Sequence, residues 1–271
     1  MNTDPNHDFH IPDKIRRIVG DSRYTENHVG QSDSHVLIFP EHVLKIQQRT
    51  VETDNEHDMS VWLRGKLCVP EIQVYLTENG TTFTLMSRAH GKMLCDEMFL
   101  RNPETLLDLT SEALRMLWNV DITECPYQTS RLEERLKAAR YNVESGLVDM
   151  DNVEPETFGN DGFRDPEELL EWLEQNQPEE DLVLTHGDFC LPNIFAENGK
   201  ISAFIDLGKI GPADRWQDLA IVMRSLKHNL HGVYSHGKKY ADFNPQMLLD
   251  RLGIPMNDEK NRYYMLLDEL F

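Results

Sequence analysis

The sequence predicts an α+β chain in two lobes, a small β-rich one followed by a larger, mostly helical one. Three observations lead there. Paired β-branched and aromatic runs around tight-turn residues fall mainly within the first ninety positions. After Asn102-Pro103 the apolar residues take up helical spacing, which returns in several segments to the end of the chain. A length of 271 residues suits one large domain or two lobes sharing a cleft, and 39% apolar residues are enough for a core.

Taken in order, His35-Val36-Leu37-Ile38-Phe39 and His42-Val43-Leu44-Lys45-Ile46 flank Pro40-Glu41, which suits a hairpin. Residues 69–76 and 81–86 form a second strand pair through Glu78-Asn79-Gly80, since Asn and Gly both tolerate positive φ. Between the pairs, residues 55–66 read as a helix with Met59, Trp62 and Leu63 on one face. Asn102-Pro103 fits an N-cap with Pro at the first helical position, followed by Leu106, Leu109, Ala113, Leu114 and Leu117 on one side. Residues 132–141 read as helical, and Asp165-Pro166-Glu167-Glu168 opens another helix with an acidic first turn. Residues 144–164 are polar and acidic and read as a loop. Strands at 182–184 and 201–205 precede further helices from Asp214 onward. The predicted division is a β-rich lobe over 1–86, a hinge over 87–91 and a helical lobe over 92–271.

Charge and composition exclude several classes. Twenty-seven Lys and Arg stand against 47 Asp and Glu, a formal charge of −20, which argues against nucleic acid as a partner and favours cations. No run approaches the 18 apolar residues of a membrane span, and the N-terminus lacks the basic and apolar regions of a secretory signal. Cys68, Cys95, Cys125 and Cys190 are scattered without a CxxC pair, so neither a disulfide framework nor a zinc site is expected. The expected compartment is the cytoplasm.

The stretch that carries chemistry is Thr185-His186-Gly187-Asp188-Phe189-Cys190-Leu191-Pro192-Asn193, with Phe204-Ile205-Asp206-Leu207-Gly208 beyond it. Asp188 and Asn193 have the Asp-x4-Asn spacing of a kinase catalytic loop, and Asp206 falls where a second metal carboxylate belongs. Phosphoryl transfer requires a carboxylate to orient and deprotonate the attacking hydroxyl, and hard oxygen ligands to hold Mg²⁺ against the phosphates. Lys45, in the strand Val43-Leu44-Lys45-Ile46, supplies a cation for the phosphates, with Glu56 in the next helix as its partner. Upstream, residues 29–34, with Ser32 and Ser34, form a candidate phosphate-capping loop.

The run THGDFCLPNIFAENGKISAFIDLGKIGPADRWQDLA resembles the bacterial aminoglycoside 3′-phosphotransferases, or kanamycin kinases, and the ending YYMLLDELF resembles the close of the same family. Weaker similarity from Gly30 through Lys45, Glu56 and Trp62-Leu63 extends the resemblance over nearly the whole chain. It implies a protein-kinase-like bilobal fold using ATP or GTP with Mg²⁺, acting on the 3′-hydroxyl of kanamycin- and neomycin-type drugs. On that resemblance, Asp188 is the catalytic base, Asn193 and Asp206 are Mg²⁺ ligands, and Lys45 contacts the α/β-phosphates. Ser87 and Ala89 fall in the hinge that meets the adenine. Glu154, Glu156, Asp188, Glu269 and the terminal Phe271 match positions that receive the drug's ammonium groups. The expected oligomeric state is a monomer or weak dimer. Three departures from the family pattern stand out: Val43, Lys209, and the His228-Asn229 pair where some relatives carry acids. The core motif also suits a kinase-like transferase for another amino-alcohol or a macrolide; the acidic loop and the LDELF ending favour the aminoglycoside. A nucleotide-binding module without catalysis and a metal-dependent hydrolase are the remaining readings. The complete residue set counts against the first, and the lack of a further His/Asp cluster against the second.

Overall fold

The computed structural model describes residues 10–27, 34–128, 130–159, 162–235 and 237–271. Ser32 and its neighbours over 29–33 in the candidate phosphate loop lie outside the described residues. Helix α1 (Asp13–Val19) precedes strands β1 (Thr25–Asn27), β2 (His35–Ile38) and β3 (His42–Gln48); helix α2 (Val51–Leu63) follows, then β4 (Ile72–Glu78) and β5 (Thr81–Ser87). The strands form one antiparallel sheet in the order β1-β2-β3-β5-β4.

Both predicted hairpins form. Ile38 faces Val43 across the Pro40-Glu41 turn, and Asn79 and Gly80 turn β4 into β5 at φ 50° and 82°. The strand expected from residue 69 starts at Ile72, since Pro70 has no N–H for the ladder. Alternation along β3 turns Leu44 and Ile46 onto a small core with Ile15, Val19, Leu37, Val74, Phe83 and Leu85. Lys45 therefore faces away from that core.

Helix α2 begins four residues before the expected Asn55. A capping box starts it: the Thr50 hydroxyl accepts from the Thr53 N–H, and Thr53 Oγ1 accepts from the Thr50 N–H. Its Met59 and Leu63 are fully buried, in the core of the large lobe and not that of the sheet. The helix thus belongs by sequence to the first lobe and by packing to the second.

Beyond the connector come β6 (Lys92–Met93), α3 (Glu97–Leu100), α4 (Pro103–Trp118), α5 (Leu132–Glu144) and α6 (Pro166–Gln175). Then follow β7 (Leu182–Thr185), β8 (Ile194–Glu197), β9 (Lys200–Phe204), β10 (Gly211–Asp214), α7 (Arg215–His231), α8 (Gln246–Leu252) and α9 (Asp258–Asp268). β10 pairs with β7, and β6-β8-β9 form a three-stranded sheet. Asp165 caps α6 by accepting from the Glu168 N–H. Asn102 holds the N-cap position of α4, but its side-chain amide donates to the Met98 carbonyl instead. Helix α7 is buried along most of its length and forms the axis of the large lobe. The four cysteines are free thiols. Among the described residues no helix is long and apolar enough to cross a membrane.

The connector after β5 lies tightly against the large lobe. Gly91 has φ 96°, and a Cβ there would stand 2.4 Å from the Ala196 carbonyl oxygen of β8. Ser202 Oγ donates to the His90 carbonyl at 2.7 Å. We expect Gly91→Ala to destabilise the fold by at least about 2 kcal/mol, through the positive φ and the backbone clash together. Leu147→Ala, at an exposed side chain, should change stability by less than about 0.5 kcal/mol. Urea and thermal unfolding compare the two; equal midpoints would remove the close approach as a constraint.

Candidate active site

The cleft between the lobes is organised around Lys45. Its Nζ donates to Glu56 Oε1 at 2.8 Å and to Asp206 Oδ1 at 2.8 Å. The ammonium therefore spans from strand β3 to helix α2 on one side and to the loop after β9 on the other. Burial alone would lower its pKa, but the Glu56 and Asp206 carboxylates outweigh burial and hold it above its ordinary value. The Lys45 ammonium in turn holds Asp206 below the usual carboxylate range. Asp206 adopts left-handed backbone, φ 63° and ψ 57°, which is uncommon for a non-glycine residue and typical of functional sites.

The floor of the cleft is the loop that leaves β7. His186 is fully buried, and its Nε2 lies 2.9 Å from the Ile205 carbonyl, binding the loop to the backbone just before Asp206. Gly187 has φ 82°, and a Cβ there would lie 2.2 Å from the Lys209 carbonyl oxygen, so no larger residue fits. The backbone N–H groups of His186 and Gly187 donate to Asp218 of α7 at 2.7 and 2.9 Å. Burial pushes the Asp218 carboxyl up to about 6, against the pull of the neighbouring His186 and the two N–H donors. A turn at Leu191–Asn193 brings Asn193 back under Asp188. Its Nδ2 donates to the Asp188 carbonyl at 3.0 Å and to Asp188 Oδ2 at 2.9 Å. Ser225 of α7 accepts from the Leu191 N–H at 3.1 Å.

Lys45, Glu56, Asp188, Asn193 and Asp206 are linked as two hydrogen-bonded sets, joined through His186 and the Ile205 backbone. Ser87 closes the sheet, its Oγ accepting from the Glu71 N–H. The Ala89 N–H and carbonyl enter no hydrogen bond among the described residues, which leaves them open to a ligand edge. Among the acids expected at the acceptor side, Glu154 and Glu269 come together: the Glu154 N–H donates to Glu269 Oε2 at 2.8 Å. Glu269 is buried, which raises its pKa, and it also meets Arg224 Nη1 at 3.4 Å. Glu156 is exposed and joins no ion pair among the described residues. The Phe271 ring lies 4.5 Å from the Arg135 guanidinium and 5.8 Å from Lys209 Nζ. His228 Nε2 lies 3.4 Å from Glu154 Oε1, whereas Asn229 is buried and its amide returns to the Ser225 carbonyl of its own helix.

The arrangement offers a buried cation in the cleft, a carboxylate on the floor, and two hard oxygen donors in the Asp206 carboxylate and the Asn193 amide. Among the described residues no group of three His, Cys, Asp or Glu side chains forms a protein-only metal cage. The donor set suits Mg²⁺, which takes one or two protein oxygens and completes its shell with water and phosphate. Asp218 and Ser225 escaped the sequence reading, because their partners lie more than thirty residues away in the chain. An Asp near the start of a largely buried helix was the available signal.

Because the folded Asp218 pKa lies above the unfolded value of about 4, the folded state holds a proton between about pH 4 and 6 that the unfolded chain lacks. This group therefore adds stability as the pH falls through 6, by up to about 1.4 kcal/mol per pH unit. Asp218→Asn should remove that slope and also leave one buried N–H without an acceptor, costing about 1–3 kcal/mol at neutral pH. Unfolding of both proteins from pH 4.5 to 7.5 checks it; parallel pH dependences would refute it.

Comparison with known proteins agrees with this geometry. The family model described as "Phosphotransferase enzyme family" matches residues 24–246. The chain is 37% identical over 265 residues to an aminoglycoside 3′-phosphotransferase of Enterococcus faecalis, covering 96% of this chain and 90% of that protein. In fold it is similar to an aminoglycoside-3′-phosphotransferase of type VIII, at a TM-score of 0.76 and 23% identity, over 95% of this chain and 97% of that one. It is also similar to aminoglycoside phosphotransferase APH(3'')-Id from Streptomyces rimosus in complex with ADP and streptomycin, at a TM-score of 0.75 and 23% identity, over 94% and 95%. These neighbours share the protein-kinase-like bilobal fold of this chain. With the family model spanning most of its length and a relative this similar over nearly all of it, the chain belongs to the phosphotransferase enzyme family, among the aminoglycoside 3′-phosphotransferases.

Proposed function

We propose that this protein transfers the γ-phosphoryl group of ATP or GTP to the 3′-hydroxyl of kanamycin- and neomycin-type aminoglycosides, in the cytoplasm, and so confers resistance to them. The observation that carries this is a Lys45 ammonium held 2.8 Å from both Glu56 and Asp206, in a chain 37% identical to a protein named for that reaction. The likeness to a structure that holds ADP and streptomycin supports a nucleotide donor and a polycationic acceptor.

The roles of the residues follow the family resemblance. Lys45, kept charged by Glu56, binds the α/β-phosphates; residues 29–34 with Ser32 cap them, and the backbone at Ser87 and Ala89 receives the base. Asp206 and Asn193 would hold Mg²⁺, which when bound would neutralise phosphate charge and align the phosphoryl group. Asp188 orients the acceptor hydroxyl and takes its proton as the oxygen–phosphorus bond forms and the bond to the leaving ADP oxygen breaks. That proton moves late, so the larger contribution of Asp188 is aim. Glu154, Glu156, Glu269 and Phe271 line the side that receives ammonium groups, and a protein charge of −20 attracts polycations.

ADP release in the presence of Mg²⁺ and ATP or GTP tests the reading. Turnover is expected with kanamycin and absent with tobramycin, which lacks the 3′-hydroxyl. Equal turnover would move the reaction to another hydroxyl, and none with either drug would point to a different amino-alcohol. Asp188→Ala should lower kcat by about 10²–10⁴-fold while the nucleotide Kd changes less than about twofold. An undiminished kcat would remove Asp188 from the base role.

A further inference from the structure

We infer that Asn55 is a positioning residue for phosphoryl transfer, tying helix α2 to the backbone that follows Asp206; the inference rests on the kinase reading above. Asn55 precedes Glu56 on α2, and consecutive helical side chains diverge by about 100°. Glu56 reaches Lys45, while Asn55 reaches the other lobe. Asn55 is 1% exposed, and its Nδ2 donates to the Gly208 carbonyl at 2.7 Å and to the Ile210 carbonyl at 3.1 Å. Two adjacent residues of one helix thus hold the lysine that Asp206 pairs with and the peptide segment that positions Asp206.

That segment has an unusual set of partners. Its four successive carbonyls, from Gly208 to Gly211, all accept side-chain hydrogen bonds. Asn55 serves the first and third, Ser130 Oγ the Lys209 carbonyl at 2.8 Å, and Thr185 Oγ1 the Gly211 carbonyl at 2.9 Å. Ser130 and Thr185 belong to the large lobe. Of these three residues, Asn55 alone comes from the element that carries Glu56. The amide also leaves Oδ1 buried without a donor, so its orientation is set by the two carbonyls it serves at the expense of its own oxygen. Close packing adds to the tie: a Cβ on Gly208 would lie 3.3 Å from Glu52 at the start of α2. At 1% exposure and with its amide spent on two carbonyls, Asn55 acts through Asp206 and Glu56.

The test compares the unaltered protein with Asn55→Asp, which keeps the shape and loses the donor, Asn55→Gln, which keeps the amide on a longer arm, and Ser130→Ala. The first readout is amide hydrogen exchange in the ligand-free and metal-free protein. Asn55→Asp should raise exchange at least tenfold both over α2 and over residues 207–211. Ser130→Ala should raise it over 207–211 and leave α2 unchanged. The second readout is steady-state kinetics. Asn55→Asp should raise the Mg²⁺ concentration for half-maximal activity about tenfold and Asn55→Gln about threefold, with the acceptor KM within twofold in both. A merely structural role would reduce the folded fraction, lowering the maximal rate and leaving the Mg²⁺ requirement where it was; that result overturns the inference. So does an exchange increase confined to one of the two segments. If Asn55→Asp does not fold, Asn55→Gln decides the case by the same two readouts. If the unaltered protein phosphorylates no acceptor, the kinase reading fails while the exchange experiment still decides the coupling.

Discussion

One ammonium group sets the geometry of the cleft. Lys45 Nζ can reach Glu56 and Asp206 together only while three separately built parts stay in register. Alternation along β3 must turn Lys45 away from the small core that takes Leu44 and Ile46. Helix α2 must sit on the large lobe, which it does by burying Met59 and Leu63 there. Asp206 must hold a left-handed backbone conformation at the end of the β8–β9 hairpin. Removing either carboxylate from a buried amine leaves a charge that its surroundings no longer balance, so the contact is conditional on all three parts. The two lobes are coupled by a charge whose burial makes the coupling costly to break.

The floor beneath that ammonium lies between strands and has few ladder partners for its backbone groups. Buried N–H and C=O groups still require partners, and here they borrow side chains. Asp218 accepts from His186 and Gly187, Ser225 accepts from Leu191, and Asn193 binds back to Asp188. Two of these acceptors, Asp218 and Ser225, stand on α7, which is why a central helix that carries no predicted catalytic residue anchors the loop at 186–193. The close approach of Gly187 to Lys209 brings that loop against the segment that follows Asp206, so the floor and the Asp206 loop behave as one body.

What could be read from the sequence was local. Asn79-Gly80 and Asp165-Pro166 specify their turn and cap through their own backbone and side-chain chemistry, and both formed as expected. The Asp188–Asn193 spacing is local in the same sense, since one tight turn closes it. The start of α2 was missed because its capping box uses Thr53 where the recognisable pattern has Glu or Gln. Strand β8 is not legible in the sequence, because four residues after a proline-containing turn carry little periodicity. β1, β6 and β10 are shorter than or as short as β8, and helix α1 spans seven residues. Asn55, Ser130 and Asp218 were invisible for a different reason: each bonds to backbone carbonyls or N–H groups, and backbone leaves no mark in the sequence.

The acceptor side shows how charge acts differently at two ranges. The net charge of −20 operates over distances near the Debye length and raises the local concentration of any polycation. Glu154 and Glu269 are already engaged, whereas Glu156 is exposed and joins no ion pair among the described residues. Arg224 is paired with Asp268 and Glu269, His228 stands beside Glu154, and Glu269 also accepts from the Glu154 backbone. On the proposed reading, an ammonium reaching Glu154 or Glu269 would exchange with an internal cation or donor, so its net gain would be a difference between two pairings. Burial lowers the basicity of His228, although Glu154 opposes this, and so makes it the weaker internal competitor. The guanidinium of Arg224 cannot be deprotonated and holds its acids more firmly. On the proposed reading, long-range attraction would admit polycations as a class, and selectivity would follow from which internal pair an acceptor displaces, the Glu154–His228 contact being weaker than the Arg224 pairs.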